Sequence, residues 1–119
     1  MNNFTPDYIE LAKKVQELKP ELKEMDIICN KAGKILSIPS APIVNLYRDY
    51  WCWLPTGDQL DEEIVKTMSK HKHYVYTVNY WFEQKMYSVI IDGSILREES
   101  NPNPLIAKIK LLIQLLEGE

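Results

Sequence analysis

Only two cysteines, Cys29 and Cys52, occur in 119 residues, and neither has a neighbour at the C-x-x-C spacing of structural zinc sites. A disulfide-stapled or zinc-built fold is therefore not expected. Both cysteines read as free, buried thiols in a reducing compartment. Glycine is scarce: Gly33, Gly57, Gly93 and Gly118 lie far apart, so no loop is built to cradle phosphate on successive N–H groups. No apolar run approaches ~18 residues, which excludes a helical membrane span from the expectation. The start of the chain lacks the basic, apolar segment that directs export. Cationic excess is missing too. Fourteen Lys and Arg against 17 Asp and Glu leave a net charge of −3, which argues against general nucleic-acid binding.

What is present is ample core material. The chain is 45% hydrophobic and 26% charged, with three Trp and seven Tyr. At this length a single domain, residues 1–119, buries enough surface to fold without staples. A first helix is announced by Thr5-Pro6-Asp7, with Thr5 as cap and Pro6 at its first position. Tyr8, Leu11, Ala12, Val15 and Leu18 recur at helical spacing and form one stripe. Asp26–Cys29 and Lys34–Ile38 read as two strands around an Asn30–Gly33 turn, with Gly33 at positive φ. Trp51–Leu54 is a short strand closed by Pro55.

A second helix runs from about Gly57 to about Lys70. Thr56 and Gln59 have the spacing of a capping box, and Leu60, Ile64 and Met68 line one side. His73–Phe82 and Met86–Asp92 form the clearest hairpin. Even positions Tyr74, Tyr76, Val78, Tyr80 and Phe82 make one apolar face, opposite Tyr87, Val89 and Ile91 on the return strand. Val75 and Trp81 are apolar exceptions on the other face. Shared faces demand that paired residue numbers sum to an odd value, and Tyr80 opposite Val89 with a four-residue loop Glu83–Met86 satisfies this. Asp92-Gly93-Ser94 is a turn, followed by a short strand from Ile95. Asn101-Pro102-Asn103-Pro104 breaks the chain and starts a last helix, whose Leu105, Ile106, Ile109, Leu112, Ile113 and Leu116 cover more than half its surface. The expected fold is α+β: a small antiparallel sheet centred on the 73–82/86–92 hairpin and packed against about three helices.

Candidate sites are few, and each has a plain alternative. Lys66, Lys70, Lys72 and His73 beside Tyr74 and Tyr76 mix cations with aromatics, a pattern that holds phosphates and stacks bases. The alternative is a solvated helix end, where cations suit the dipole. His71 and His73 with Cys29 and Cys52 are the only soft metal ligands, and no metal site is expected from their spacing. Asp58, Asp61, Glu62 and Glu63 share a helix start, and nothing in the sequence raises the pKa of one of them for acid–base work. Ser37, Ser40, Ser69, Ser88, Ser94 and Ser100 lack a nucleophile-elbow context. No cofactor and no catalysis are expected. Trp51 and Trp53 on one strand face, and the stripe Leu105, Ile109, Leu112 and Leu116, are either core or interface. The wide terminal stripe is the expected seam of a homodimer, unless it is sunk between sheet and first helix.

Three stretches together carry a resemblance: Tyr8-Ile9-x-x-Ala12, Trp53-Leu54-Pro55-x-x-Asp58-Gln59-Leu60, and Asn103-Pro104-Leu105 with its Leu/Ile-rich helix. The chain resembles the small, mostly uncharacterised accessory proteins of phage and prophage genomes, departing from their pattern at Gly57 and Asp61. That resemblance implies a bacterial cytoplasm and implies no site residues. The expected function is that of a phage-encoded interaction protein without enzymatic activity, binding a host or phage macromolecule and blocking a host defence factor. A nucleotide-sequestering protein using the Lys70–Tyr76 cluster is the alternative, and a structural or packaging accessory the third. Thr56→Ala is expected to lower stability by about 1 kcal/mol through loss of the second helix's cap; an unchanged midpoint in chemical denaturation contradicts the capping box.

Overall fold

The computed structural model describes residues 4–19, 23, 26–30, 34–37 and 51–118, with only the backbone described at Leu36 and Trp51. The fold is α+β, and its strands form two small antiparallel sheets. The chain divides into two compact units, Met1–Thr56 and Gly57–Glu119. Among the described residues no helix is long and apolar enough to cross a membrane.

In the first unit, helix α1 spans Pro6–Ala12. The Thr5 hydroxyl accepts the Tyr8 N–H at 3.3 Å, so the expected cap is in place. Tyr8, Ala12 and Val15 of the expected stripe are buried. The α-helix stops early, however, and continues as a 3-10 turn over Lys13–Leu18 with a kink at Val15 (φ −113°, ψ 15°). The Gln16 side chain supplies the reason. Its amide N–H donates to the Ala12 carbonyl at 2.7 Å and to the Trp53 carbonyl at 3.0 Å, while its oxygen accepts the Trp53 N–H at 2.9 Å. One side-chain amide thus pairs with a strand backbone as a neighbouring strand does, which offsets the lost helical bonds.

That backbone belongs to β3 (Trp51–Trp53), which pairs with β1 (Ile27–Asn30). The hairpin partner β2 (Ile35–Ser37) lies on the other side of β1, giving the order β2-β1-β3. Asn30 closes the hairpin: its N–H donates to the Lys34 carbonyl at 3.0 Å and its side-chain oxygen accepts the Lys34 N–H at 2.9 Å. The Gly33 turn itself, and the connection from 38 to 50, lie outside the described residues. Tyr8 runs under the end of β3, and its hydroxyl donates to the Pro55 carbonyl.

In the second unit, α2 (Gly57–Thr67) continues as a 3-10 turn over Met68–Lys70, close to the expected bounds. Its predicted stripe of Leu60, Ile64 and Met68 is fully buried. A meander follows: β4 (Tyr74–Trp81), β5 (Met86–Gly93) and β6 (Leu96–Asn101), in the order β4-β5-β6. The expected hairpin is β4–β5, but β5 alone is central and β4 is an edge. Tyr80 lies opposite Tyr87, and Val89 opposite Val78. The register therefore sits two residues from the expected one. A slip of two keeps every side chain on its face, so hydrophobic patterning does not choose between the two. The loop has four residues as expected, but they are Phe82–Lys85, and Lys85 takes the positive φ of 51° that turns the chain back.

Helix α3 (Pro104–Glu117) begins as the sequence predicts, with the Asn103 side chain accepting the Leu105 N–H at 3.0 Å. It packs against α2, β5 and β6, and Leu105, Ile106, Ala107, Ile109, Leu111, Leu112 and Leu115 are buried. The wide apolar surface is thus consumed as core. Gly93, at the end of β5, faces the start of β4 so closely that an added Cβ stands 2.3 Å from the His73 carbonyl oxygen and 2.8 Å from the Tyr74 Cα. Both obstacles are backbone. Gly93→Ala should therefore cost about 1–3 kcal/mol by forcing the strands apart; a denaturation midpoint equal to wild type contradicts this account.

Candidate functional site

The expected phosphate-binding cluster does not converge. Strand alternation turns Tyr74 and Tyr76 to one face of the sheet and His73 and Val75 to the other. Lys66 stays exposed on α2. Lys70 and His71 line a cleft of about 160 Å³ with Arg97 and Gln114, and His71 Nδ1 lies 2.8 Å from the Ser94 hydroxyl. Lys72, His73 and Tyr74 instead border a separate open depression that also contains Asp92. Ligand pockets for nucleotide-sized molecules span ~300–1,000 Å³, so the Lys70 cleft is too small for one, whereas the depression at Lys72, His73 and Tyr74, about 390 Å³, is large enough but wide open. Arg97, from β6, is the cation the sequence reading missed, because only the β5–β6 pairing brings it beside Lys70.

Tyr76 points inward and donates to Asp61 Oδ1 at 2.6 Å. Asp61 Oδ2 takes Lys108 Nζ at 3.1 Å. The carboxylate that the sequence offered as a candidate acid is therefore a tie between α2, β4 and α3, with both oxygens engaged. Asp58 and Glu62 are exposed. Among the described residues no three His, Cys, Asp or Glu side chains converge in a way that holds a metal.

The interface candidates are placed differently from their expectation. Trp53 is buried, beneath Lys19, whose ammonium lies 5.4 Å from the ring centroid. The Trp51 side chain lies outside the described residues. Leu105, Ile109 and Leu112 are buried and Leu116 is half-buried. Most of the seam expected for a homodimer on this helix is core instead, packed against α2, β5 and β6.

The surface that does stand out is the other face of the second sheet. Register places Val75, Thr77, Asn79 and Trp81 of β4 beside Met86, Ser88, Ile90 and Asp92 of β5, then Leu96, Glu98 and Ser100 of β6. Helices α2 and α3 lie against the opposite face: Asp61 meets Tyr76, and Gln114 donates to Glu99 Oε2 at 2.6 Å. Val75 is 62% exposed, Trp81 52% and Leu96 66%. At the centre, Ser88 is buried and donates to Glu98 Oε1 at 3.0 Å. The strand residues of this face carry Asp92 and Glu98 as their charges, and Lys72 and His73 border Val75 and Asp92 at one end. Beyond it, at the hairpin tip, Phe82 is 83% exposed and stacks edge-on to Tyr80, which in turn meets Tyr87 at 4.7 Å. The signal was in the sequence: Val75 and Trp81 broke the polar alternation of their strand.

Burial shifts three acids. It pushes the Cys52 thiol up to about 11, with Cys29, directly opposite in β1, adding to the effect. Burial also raises the Tyr8 phenol well above its ordinary range, with Cys52 a smaller cause. The Tyr76 phenol rises for the same first reason, and then through its hydrogen bond to Asp61 and that carboxylate's charge. All three shifts favour the neutral form in the folded state. Their stabilisation is complete below the unfolded values, about 9 for the thiol and about 10 for the phenols, and is lost as pH climbs above them. Stability should therefore fall from about pH 9 upward. Cys52→Ala should move the onset towards pH 10 and Tyr76→Phe should flatten the later decline. Denaturation midpoints measured across pH 7 to 12 check this, and a flat profile overturns it.

No protein-family model matches the chain, and comparison with curated proteins and with solved structures gives no significant match.

Proposed function

We propose that this chain is a non-enzymatic interaction protein whose open sheet face, with Val75 and Leu96 exposed at one end and Trp81 at the other, docks on a protein partner. The carrying observation is the exposure of Val75, Trp81 and Leu96 on one face whose charges are Asp92 and Glu98. Large exposed apolar side chains grouped on one face mark association surfaces rather than solvent contact, and Trp is the residue most enriched among binding hot spots. Asp92 and Glu98 suit a partner patch that carries Lys or Arg beside its apolar residues. Together with the resemblance to phage accessory proteins, this supports a host protein as the target and inhibition of a defence factor as the outcome. The nucleotide-sequestering reading loses support, because its residues are divided between a small cleft and an open depression.

The test pairs binding with phenotype. Expression of the wild-type chain in defence-proficient bacteria should raise phage plating efficiency, and the same partner should be captured from lysates on the immobilised protein. Trp81→Glu with Leu96→Glu should abolish both while changing stability by less than ~1 kcal/mol, since both side chains are surface residues. Full plating gain and capture by the double variant would falsify the assignment of this face.

A further inference from the structure

The two edges of the second sheet differ in kind. β6, Leu96–Asn101, carries Arg97, Glu98 and Glu99 at its centre, the charged side chains that discourage another strand from adding to an edge. β4, Tyr74–Trp81, carries no charge, no proline and no glycine along eight residues. Among the described residues it pairs with β5 alone. An uncharged, unbroken edge of this length is a template for another strand.

The sequence of that edge says which strand. A second copy paired antiparallel about a two-fold axis normal to the sheet keeps each face on its own side, so one residue must lie on the axis. With Val78 there, Val78 meets Val78 of the second copy and Thr77 meets Asn79. Tyr76 then meets Tyr80, Val75 meets Trp81, and Tyr74 meets Phe82. Every pair is polar with polar or apolar with apolar, and three of the five kinds join aromatic rings to aromatic or β-branched partners, the pairs that stabilise antiparallel sheets most. Moving the axis to Thr77 sets Val75 against Asn79 and Trp81 against His73. Moving it to Asn79 sets Thr77 against Trp81 and Val75 against Glu83. Of these three axes, only Val78 makes the strand complementary to itself along its whole length.

The exposure pattern fits the same axis. The first half of β4 is engaged by its own helix, through Tyr76 and Asp61. The second half is open on that face, with Val78 and Tyr80 exposed and Phe82 beyond them. Rotation about Val78 lays the open half of each copy beside the engaged half of the other, so the two α2 helices are staggered along the strands rather than stacked. We infer that the chain forms a two-fold dimer by β4–β4 pairing centred on Val78, making one six-stranded sheet. This goes beyond the partner-docking face, since it uses the strand edge and the cross-strand pairs, and leaves that face continuous across both copies.

Sedimentation velocity at micromolar concentration should show a dimer for wild type. Val78→Lys sets two ammonium groups against each other on the axis and should raise the dissociation constant at least about tenfold. A second pair of variants reads the register without relying on a disruptive change. Directly opposed residues in antiparallel strands lie ~4.5–5.5 Å apart at Cα, within disulfide reach. Val78→Cys should therefore cross-link to its own copy in oxidised glutathione, two thiols giving one disulfide and two reduced glutathiones. Val75→Cys, three residues from the axis, should remain uncross-linked beyond the wild-type background from Cys29 and Cys52. A wild type at monomer mass overturns the proposal. So does a Val78→Lys variant with unchanged dimer affinity, or a Val75→Cys chain that cross-links as readily as Val78→Cys. Loss of plating gain by Leu96→Glu alone, a β6 residue that takes no part in the β4–β4 pairs, with the dimer intact separates this inference from the partner-docking reading.

Discussion

Burial of α3 is the interaction on which the second unit depends. Seven of its side chains lie in the core, against α2, β5 and β6. Each large aliphatic among them contributes about 1.5–3 kcal/mol when removed from water. The polar tie through Asp61, Tyr76 and Lys108 spans the same elements. A partly exposed pair of this kind contributes about 1 kcal/mol or less. The apolar packing therefore sets where the helix lies, and the polar tie fixes its rotation over the sheet. A helix consumed in this way keeps only Ile113 and Leu116 half-buried among its large apolar side chains, which moves the question of association to the sheet.

The first unit solves a smaller version of the same problem with one amide. Three short strands give little area, and α1 is only seven residues long. Gln16 closes it by reading the Trp53 backbone as a strand does, at the cost of the regular helix beyond Ala12. Tyr8 and Trp53 then bury their rings on either side of that contact. The Trp53 indole N–H is buried without an acceptor among the described residues, so shape rather than hydrogen bonding holds the ring.

Local signals were legible in the sequence and long-range ones were not. Thr5-Pro6 and Asn103-Pro104 fixed helix starts because capping chemistry acts within three residues. The parity of the β4–β5 pairing followed from which positions are apolar, since a slip of one inverts a face. A slip of two costs nothing by that criterion, and here the turn decided it: Lys85 accepts positive φ without glycine, a preference that no propensity rule assigns to lysine. The two sheets, in place of one, also lay beyond reach. β3 pairs backwards with β1, and α2 intervenes before β4, a choice made by tertiary packing. The wide stripe of α3 was visible, but its meaning was not, because a buried helix and a docked helix share one pattern. Arg97 beside Lys70 was invisible, since 27 positions of chain separate them and only β5 brings them together.

The open face was half legible, and the part that was missed is instructive. Val75 and Trp81 interrupt an otherwise polar alternation, and alternation is the sequence signature of a sheet face in water. Treated as exceptions, they suggest nothing; register sets Val75 beside Asp92 and Leu96 at one end of the face and Trp81 beside Met86 at the other. Between the two ends lies the polar row Asn79, Ser88 and Ser100, with Ser88 buried and bonded to Glu98. A polar residue held dry at the centre of an exposed face keeps the sheet from becoming a uniform hydrophobic plane, the form most prone to indiscriminate association. Charge acts in the same direction at the β6 edge, where Arg97, Glu98 and Glu99 oppose strand addition. β4 has neither device. The chain thus protects one edge and leaves the other uncharged, so the proposed self-pairing falls where contact is directional. Backbone pairing fixes register, and register fixes which copy-to-copy contacts form.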